Sequence, residues 1–399
     1  MNSSLARRPR SDAGIALPMT LIVMALLTAL TIAFLAFTSA EPVIASNQMA
    51  NVQARAIAES GLERALWALS KGETTPGFAG ALADPLPAPV PAPYDGSAYL
   101  SVGVGEFNVT VVDGPGTNER TITARGYVPN HTNPIAIKKI QTTVTHIKIP
   151  TPPCAVCAGG ESPPGTSTNI QIGGSASINA ASVNGGSNYC PGVTPQSAAY
   201  SAGTVNTNGT PNITGPAGGS GILTNQPASN FSSFLFTDDD FATLKKYAKQ
   251  YGTYYQGSQT WTSPPANGII VVDTPSGNPL TSNSPDSDKS VVVDIHGSWA
   301  QGWSGWLVVA GSVWISGNAQ LNGLVYAQND VTLHGNGNGH VSGAVISTNR
   351  VDTQSTNIDT DDTGNAPVTY DCPAVRSGGG SVPINWFVKP GSFREVSGT

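Results

Sequence analysis

IALPMTLIVMALLTALTIAFLAF, residues 15–37, runs for 23 residues without a charge. As a helix rising 1.5 Å per residue it is about 34 Å long, enough to cross a hydrocarbon core of about 30 Å. Arg7, Arg8 and Arg10 precede it, and Asp12 is the one acidic residue on that side. The positive-inside rule therefore keeps the N-terminus in the cytoplasm and sends everything after Phe37 across the membrane. A cleaved secretory signal would also open with arginines and offers Thr38-Ser39-Ala40 for cutting, but the apolar part of such signals usually spans about 7 to 15 residues.

Outward from the span, Thr38-Ser39-Ala40-Glu41-Pro42 leads into VIASNQMANVQARAIAESGLERALWALSKG. Pro42 is expected to kink the helix without ending it. At 100° per residue, Ala50, Ala54, Ile57, Ala58, Gly61, Leu62, Ala65, Ala68 and Leu69 form one broad stripe, with Glu59, Glu63 and Lys71 opposite. Gly72 supplies a stop. The span and the amphipathic half together make a rod of about 85 Å from Ile15 to Lys71. Its second half is built to lie on a globular head, and its first half is free to leave lipid and bundle with identical rods.

The basic leader, Gly14, the long apolar helix from Ile15 and AIAESGLERALWAL resemble the N-terminus of type IV pilin-like proteins, in particular minor pilins of the PilX kind. The resemblance covers roughly residues 7–71. It implies cleavage by a prepilin peptidase between Gly14 and Ile15, methylation of the new N-terminus, a helix-on-sheet head and packing against other pilin-like subunits. Ala13 stands where many pilins carry Lys or Arg, and Met19 where major pilins carry a glutamate. A carboxylate buried among apolar helices is tolerable only with a partner. A subunit without one can sit at a filament tip, although Met19 is equally an ordinary lipid-facing residue.

The composition fits work outside the cytoplasm. Gly and Pro number 45 and 31 and charged residues make up 11%, which suits short strands and turns. The net charge of −6 excludes a nucleic-acid partner. Cys154, Cys157, Cys190 and Cys372 can form two structural disulfides in an oxidising compartment, with three pairings open. Cys190 with Cys372 would tie a late segment to an early one. Cys154-Ala155-Val156-Cys157 could be a redox pair or half a zinc site, but no second close pair exists to complete the metal site, so no metal and no cofactor is expected.

Residues 74–96 read as an extended Ala/Pro-rich linker. Then YLSVGVG, EFNVTVVD, RTITARGYV and AIKKIQTTVTHIKI alternate with period two, giving an antiparallel sheet over 97–150 packed on the helix. His131 and His146 read as ordinary surface residues. Residues 151–375 change to Gly, Ser, Asn and Thr. Segments opening at Gly305, Gly323 and Gly343 repeat at offsets of 18 and 20, and GSVWISGN (311–318) parallels NDVTLHGN (329–336). A period near 20 with two short strands per unit predicts a parallel β-solenoid, with GIIVVDT, VVVDIHG and residues 169–186 as further turns. A helix over 238–251 is inserted, capped by Thr237 and Asp238, and 376–399 form a C-terminal tail. The fold class is thus α+β followed by all-β, behind a leader of residues 1–14 and a helix over 15–73.

Solenoids can carry polysaccharide-acting enzymes, which need paired carboxylates or a calcium site with a base. Asp359, Asp361 and Asp362 are the best acidic cluster, but they do not form a calcium loop, and catalytic residues are expected to be absent. Trp299, Trp303, Trp306 and Trp314 crowd together. Trp299 and Trp303 are candidates for an exposed binding platform, while Trp306 and Trp314, at strand positions of the repeat, are expected inside. The sequence therefore points to a non-enzymatic subunit of the inner membrane that takes part in assembly or at the tip of a type IV pilus or related filament. Its partners would be the membrane, prepilin peptidase, other pilin-like subunits and surface glycans. The alternatives are a permanently anchored surface-binding protein and a tethered polysaccharide-acting enzyme.

Overall fold

The computed structural model describes residues 16–74, 78–83, 85–116, 118–159, 169–190, 194–299, 302–335, 339–351, 360–382 and 386–396. The chain divides into two compact units, one from Met1–Gly72, Pro76–Val144 and Phe387–Thr399, the other from Glu73–Thr75 and Thr145–Trp386. The fold is mixed α+β, with an N-terminal apolar helix, an antiparallel sheet and two parallel sheets.

Helix α1 (Ala16–Thr74) is 59 residues long and carries Pro42 inside it. Its apolar stripe from Ala50 to Leu69 is the buried face. That face lies on an antiparallel meander of β1 (Leu100–Val102), β2 (Gly105–Asp113), β3 (Glu119–Val128) and β4 (Ala136–Thr145). Phe107, Val109, Val111, Ile122, Ala124, Ile140 and Val144 supply the other side of the contact. Small residues let the layers approach closely: a Cβ on Gly126 would sit 2.1 Å from the carbonyl oxygen of Ala54, and one on Gly61 would sit 2.8 Å from the Phe107 ring. The helix continues two residues past the expected stop at Gly72, which lies against the backbone of Leu82, whose N–H donates to Ala68 O at 3.0 Å.

The Ala/Pro-rich stretch is packed into this unit. Leu82 and Tyr94 are buried, the Tyr94 hydroxyl donates to Gly80 O, and Val111 N–H donates to Tyr94 O. The end of the chain returns to the same sheet, where Arg394–Glu395 pairs antiparallel with β4 and Lys389 Nζ meets Glu119 Oε1 at 2.6 Å. His131 is more than a surface residue. Its Nδ1 lies 2.7 Å from Glu106 Oε2 and its ring stacks on Tyr99, with centroids 3.7 Å apart. Their 25-residue separation across a hairpin hides this contact from the local sequence.

The second unit opens with β5 (Cys154–Ala158), β6 (Ile170–Gly174), β7 (Ser177–Asn179), β8 (Ser197–Ser201), β9 (Val205–Gly209), β10 (Asn212–Thr214) and β11 (Ser220–Leu223). Helix α2 (Asp238–Tyr251) follows, closed by a reciprocal capping box between Thr237 and Asp240 and by Gly252 in the left-handed conformation. Then come β12 (Tyr254–Gln256), β13 (Gln259–Trp261), β14 (Gly268–Asp273), β15 (Val292–Ile295), β16 (Trp303–Val309), β17 (Ser312–Ser316), β18 (Gln320–Ala327), β19 (Val331–Gly335), β20 (His340–Ser347), β21 (Thr360–Gly364) and β22 (Pro367–Tyr370).

These strands form two parallel sheets. The first runs β10-β7-β22-β20-β18-β16-β14-β12, with β5, β8 and β11 joined at its side, and the second runs β13-β15-β17-β19-β21-β6-β9. From β12 onward each strand pairs with the one two places later, so the chain alternates between sheets as it advances. In-register pairing stacks like on like. Ile270, Leu307, Val325, Val345 and Val156 form one buried row of the first sheet, and Val293, Val313, Val331, Thr360 and Ile170 form one of the second. The core lies among these rows.

Two features were not anticipated from the sequence. The last strands do not end the stack: β21 pairs with β6, β22 pairs with β7, and β9 and β10 lie farther out. The early segment thus occupies the far end, and the later chain grows toward it from β12. Gly305, Gly323 and Gly343 also stack mid-strand on Gly268 at the start of β14, all with φ between 125° and 155°, where a Cβ on Gly323 would sit 1.9 Å from the oxygen of Gly305. Only glycine adopts that conformation without strain.

Candidate functional site

The first half of α1 has no covering surface among the described residues. Leu17, Met19, Leu21, Ile22, Leu26, Leu30, Phe34 and Leu35 are all exposed, and Ala16–Leu35 is long and apolar enough to cross a membrane. Met19 is 65% exposed, on the same bare surface as its neighbours. Gly14 and Ile15, the expected cleavage pair, lie outside the described residues, as does Asp359.

The cysteines pair as Cys154–Cys157 and Cys190–Cys372. The first bridge lies within buried β5. The second joins the seam where the returning chain meets the early segment; beside it, Asn188 Nδ2 donates to Tyr370 O at 3.1 Å and Cys372 N–H donates to Asn188 O at 2.9 Å.

Trp299 and Trp303 are 1% and 2% exposed, so neither ring offers a stacking face. Trp303 Nε1 donates to Ala266 O at 3.0 Å. Trp306 is buried as expected, but Trp314 is 47% exposed, against the expectation of an interior position. The signal was present in Val313-Trp314-Ile315: two inward aliphatics on a strand force the residue between them outward. His146 is likewise buried, with its ring centroid 4.4 Å from that of Trp386.

The two parallel sheets differ on their outer faces. The first is covered: Phe236 packs on Trp306 and Tyr326, Phe231 packs on Tyr200, α2 lays Phe241, Leu244 and Ala248 inward, and the short helix Cys372–Ser377 accepts the Trp306 indole N–H at Val375 O. Among the described residues, no element covers the outer face of the second. One registered row across it reads Thr260, Asp294, Trp314, Thr332, Asp361, Gln171 and Asn206, and a parallel one reads Ser316, His334, Thr363, Gly173 and Asn208. Adjacent strands lie about 4.8 Å apart, so Asp294 and Thr332 flank the Trp314 ring directly.

His296 Nδ1 lies 3.4 Å from Asp294 Oδ2, and His334 Nε2 lies 3.7 Å from Asp361 Oδ2, while His334 Nδ1 is 2.7 Å from Thr363 Oγ1. Asp361 is held above the usual carboxylate range by burial, partly offset by His334, and its Oδ1 has no hydrogen-bond partner. The neighbouring Asp362 points the other way, into the row of Ile295, Ile315, Leu333 and Ile172. Neither of its oxygens is hydrogen-bonded, and burial, reinforced by Asp361, pushes its carboxyl up to about 8. Asp361 and Asp362 therefore lie on opposite faces and do not make a carboxylate pair. Among the described residues no group of three or more His, Cys, Asp or Glu is placed to hold a metal ion.

No family model and no curated protein matches the sequence. Among solved structures, the crystal structure of the competence-associated pilin ComZ from Thermus thermophilus is similar at 12% identity, over 87% of this chain and 96% of that one, with a TM-score of 0.22. A superposition that loose carries no argument about function.

Proposed function

We propose that this chain is a pilin-like subunit of the PilX kind. It would be anchored in the inner membrane by its apolar helix, cut by a prepilin peptidase between Gly14 and Ile15, methylated at the new terminus and drawn into a type IV pilus or related filament through contacts with sister helices. One observation carries the reading: α1 is a single helix whose apolar first half is bare and whose second half is the buried face against an antiparallel sheet. A simple anchor needs the first half only. An apolar rod continuous with a head is suited to exchanging lipid for neighbouring rods while the head stays fixed to it.

Met19 brings no carboxylate into such a bundle, which suits a position in assembly or at the tip, where a partner for a buried charge is absent. The two parallel sheets are read as a β-solenoid, since inward rows of like residues recur once per turn. In this reading the solenoid is structural and non-enzymatic, and it is presented outward as an adhesive part. The test is Gly14→Leu, which blocks the cleavage site. Wild-type chain is expected in filaments sheared from cells, and the variant is expected uncut in membranes. Wild-type chain that never enters filaments and keeps its leader would overturn the reading.

A further inference from the structure

We infer that the open face of the second parallel sheet, centred on Trp314 and bounded by Asp294, Thr332, Asp361 and His334, is a binding site for an uncharged polysaccharide chain. This deepens the adhesive part of the reading above. It rests on that reading for its biological setting but not for its chemistry.

The face joins two properties that proteins seldom expose together. Trp314 is a large aromatic ring, 47% exposed, in the middle of a registered row. Apart from Val292 on one diagonal, the side chains around it can hydrogen-bond: Asp294 and Thr332 on the adjoining strands, Ser316 two residues along its own strand, and His296 and His334 on the other diagonals. A sugar ring has the matching pattern, with apolar C–H groups on one face and hydroxyls around the rim. The C–H face stacks on the indole while the rim donates to carboxylates and exchanges hydrogen bonds with hydroxyls and imidazoles. A purely apolar partner would leave these polar groups desolvated and unpaired, which costs about 1–3 kcal/mol for each.

Charge and shape narrow the class further. The two rows contain Asp294 and Asp361 and no Lys or Arg, so a uronate or phosphate polymer would meet like charge. Asp361 keeps 29% of its side chain exposed as an acceptor for a hydroxyl donor, with its Oδ1 turned inside. The seven strands span about 29 Å at 4.8 Å each, so a chain lying across them would pass Trp314 with Asp361, Gln171 and Asn206 on one side and Asp294 and Thr260 on the other. That is a track for an extended chain rather than a pocket for a monosaccharide.

The test is native affinity electrophoresis of the full chain in detergent micelles at pH 7. The gels hold hydroxyethylcellulose, mixed-linkage β-glucan, dextran or mannan, with alginate and polygalacturonate as the charged counterparts. The expected result is retardation by at least one neutral polymer and by neither charged one. Trp314→Ala should weaken that retardation at least about tenfold, and Trp314→Phe should keep most of it. Because the ring is half outside, Trp314→Ala should leave the melting temperature unchanged, which separates lost binding from lost folding.

No retardation by any neutral polymer, stronger retardation by alginate or polygalacturonate, or binding that survives Trp314→Ala would each overturn the inference. So would finding that the substitution abolishes contact with a protein instead of a glycan. The assay needs no filament, so its failure and failure of leader cleavage are read independently.

Discussion

The two units solve the same problem in opposite ways. In the first, an antiparallel sheet has one apolar face and borrows a helix to cover it; in the second, two parallel sheets contribute inward rows to one core. The helix contact depends on small residues at a few crossing points, such as Gly61 against Phe107 and Gly126 against Ala54. The parallel stack depends on repetition, because each row pairs the same kind of residue strand after strand. One end of α1 lies outside both schemes, with no covering surface among the described residues.

Both units are most vulnerable at their glycines. Gly323→Val places carbon where the oxygen of Gly305 already sits, and Gly126→Val does the same against Ala54. Each is expected to cost more than about 4 kcal/mol, seen as loss of the corresponding unfolding transition in urea. Tolerance of either variant would mean that close backbone approach is not what holds that unit.

The disulfides sharpen the contrast within the second unit. Replacing Cys190 and Cys372 by Ser frees a loop of 182 residues, expected to cost on the order of 5 kcal/mol by loop-closure entropy, against less than about 2 kcal/mol for Cys154 and Cys157, three residues apart. Melting temperatures of the two double variants give the order. Equal losses would mean that the seam is held by strand pairing alone.

Asp362 is an acid inside an aliphatic row, and it gives a pH signature. Its folded carboxyl titrates near 8, above the unfolded value of about 3.9, so the folded state holds the proton more tightly. Stability is therefore unaffected below about pH 4 and falls as pH rises toward 8, by a few kcal/mol in total. Asp362→Asn should flatten this slope in denaturant titrations at pH 4, 6 and 8; an unchanged slope would place the titration elsewhere. The smallest effect is expected at α2, where Thr237→Ala removes the side-chain half of the capping box and costs about 1 kcal/mol, measurable as a small shift in urea midpoint.

Much of this architecture was legible because it is periodic. The nine-residue stripe of α1 follows from 3.6-residue spacing alone, and the segments at Gly305, Gly323 and Gly343 align in the structure as they do in the sequence. What periodicity could not give is contact between distant segments. The pairing of β6 with β21, the meeting of His131 with Glu106 and the return of Arg394 to β4 join stretches with no shared pattern. Trp314 was legible and was misread, since its place in the repeat was weighed above the alternation within its own strand. Trp299 and Trp303, the candidates for an exposed platform, fill the interior near β13 instead, beside Trp261.

We propose that the bare half of α1 begins at a newly made N-terminus and serves to join other helices. Intact-mass measurement of the chain purified from cells tests it most directly. The expected product is a polypeptide starting at Ile15, with residues 1–14 gone and one methyl group added. A chain that retains Arg7, Arg8 and Arg10, or one cut after Ala40, would contradict it.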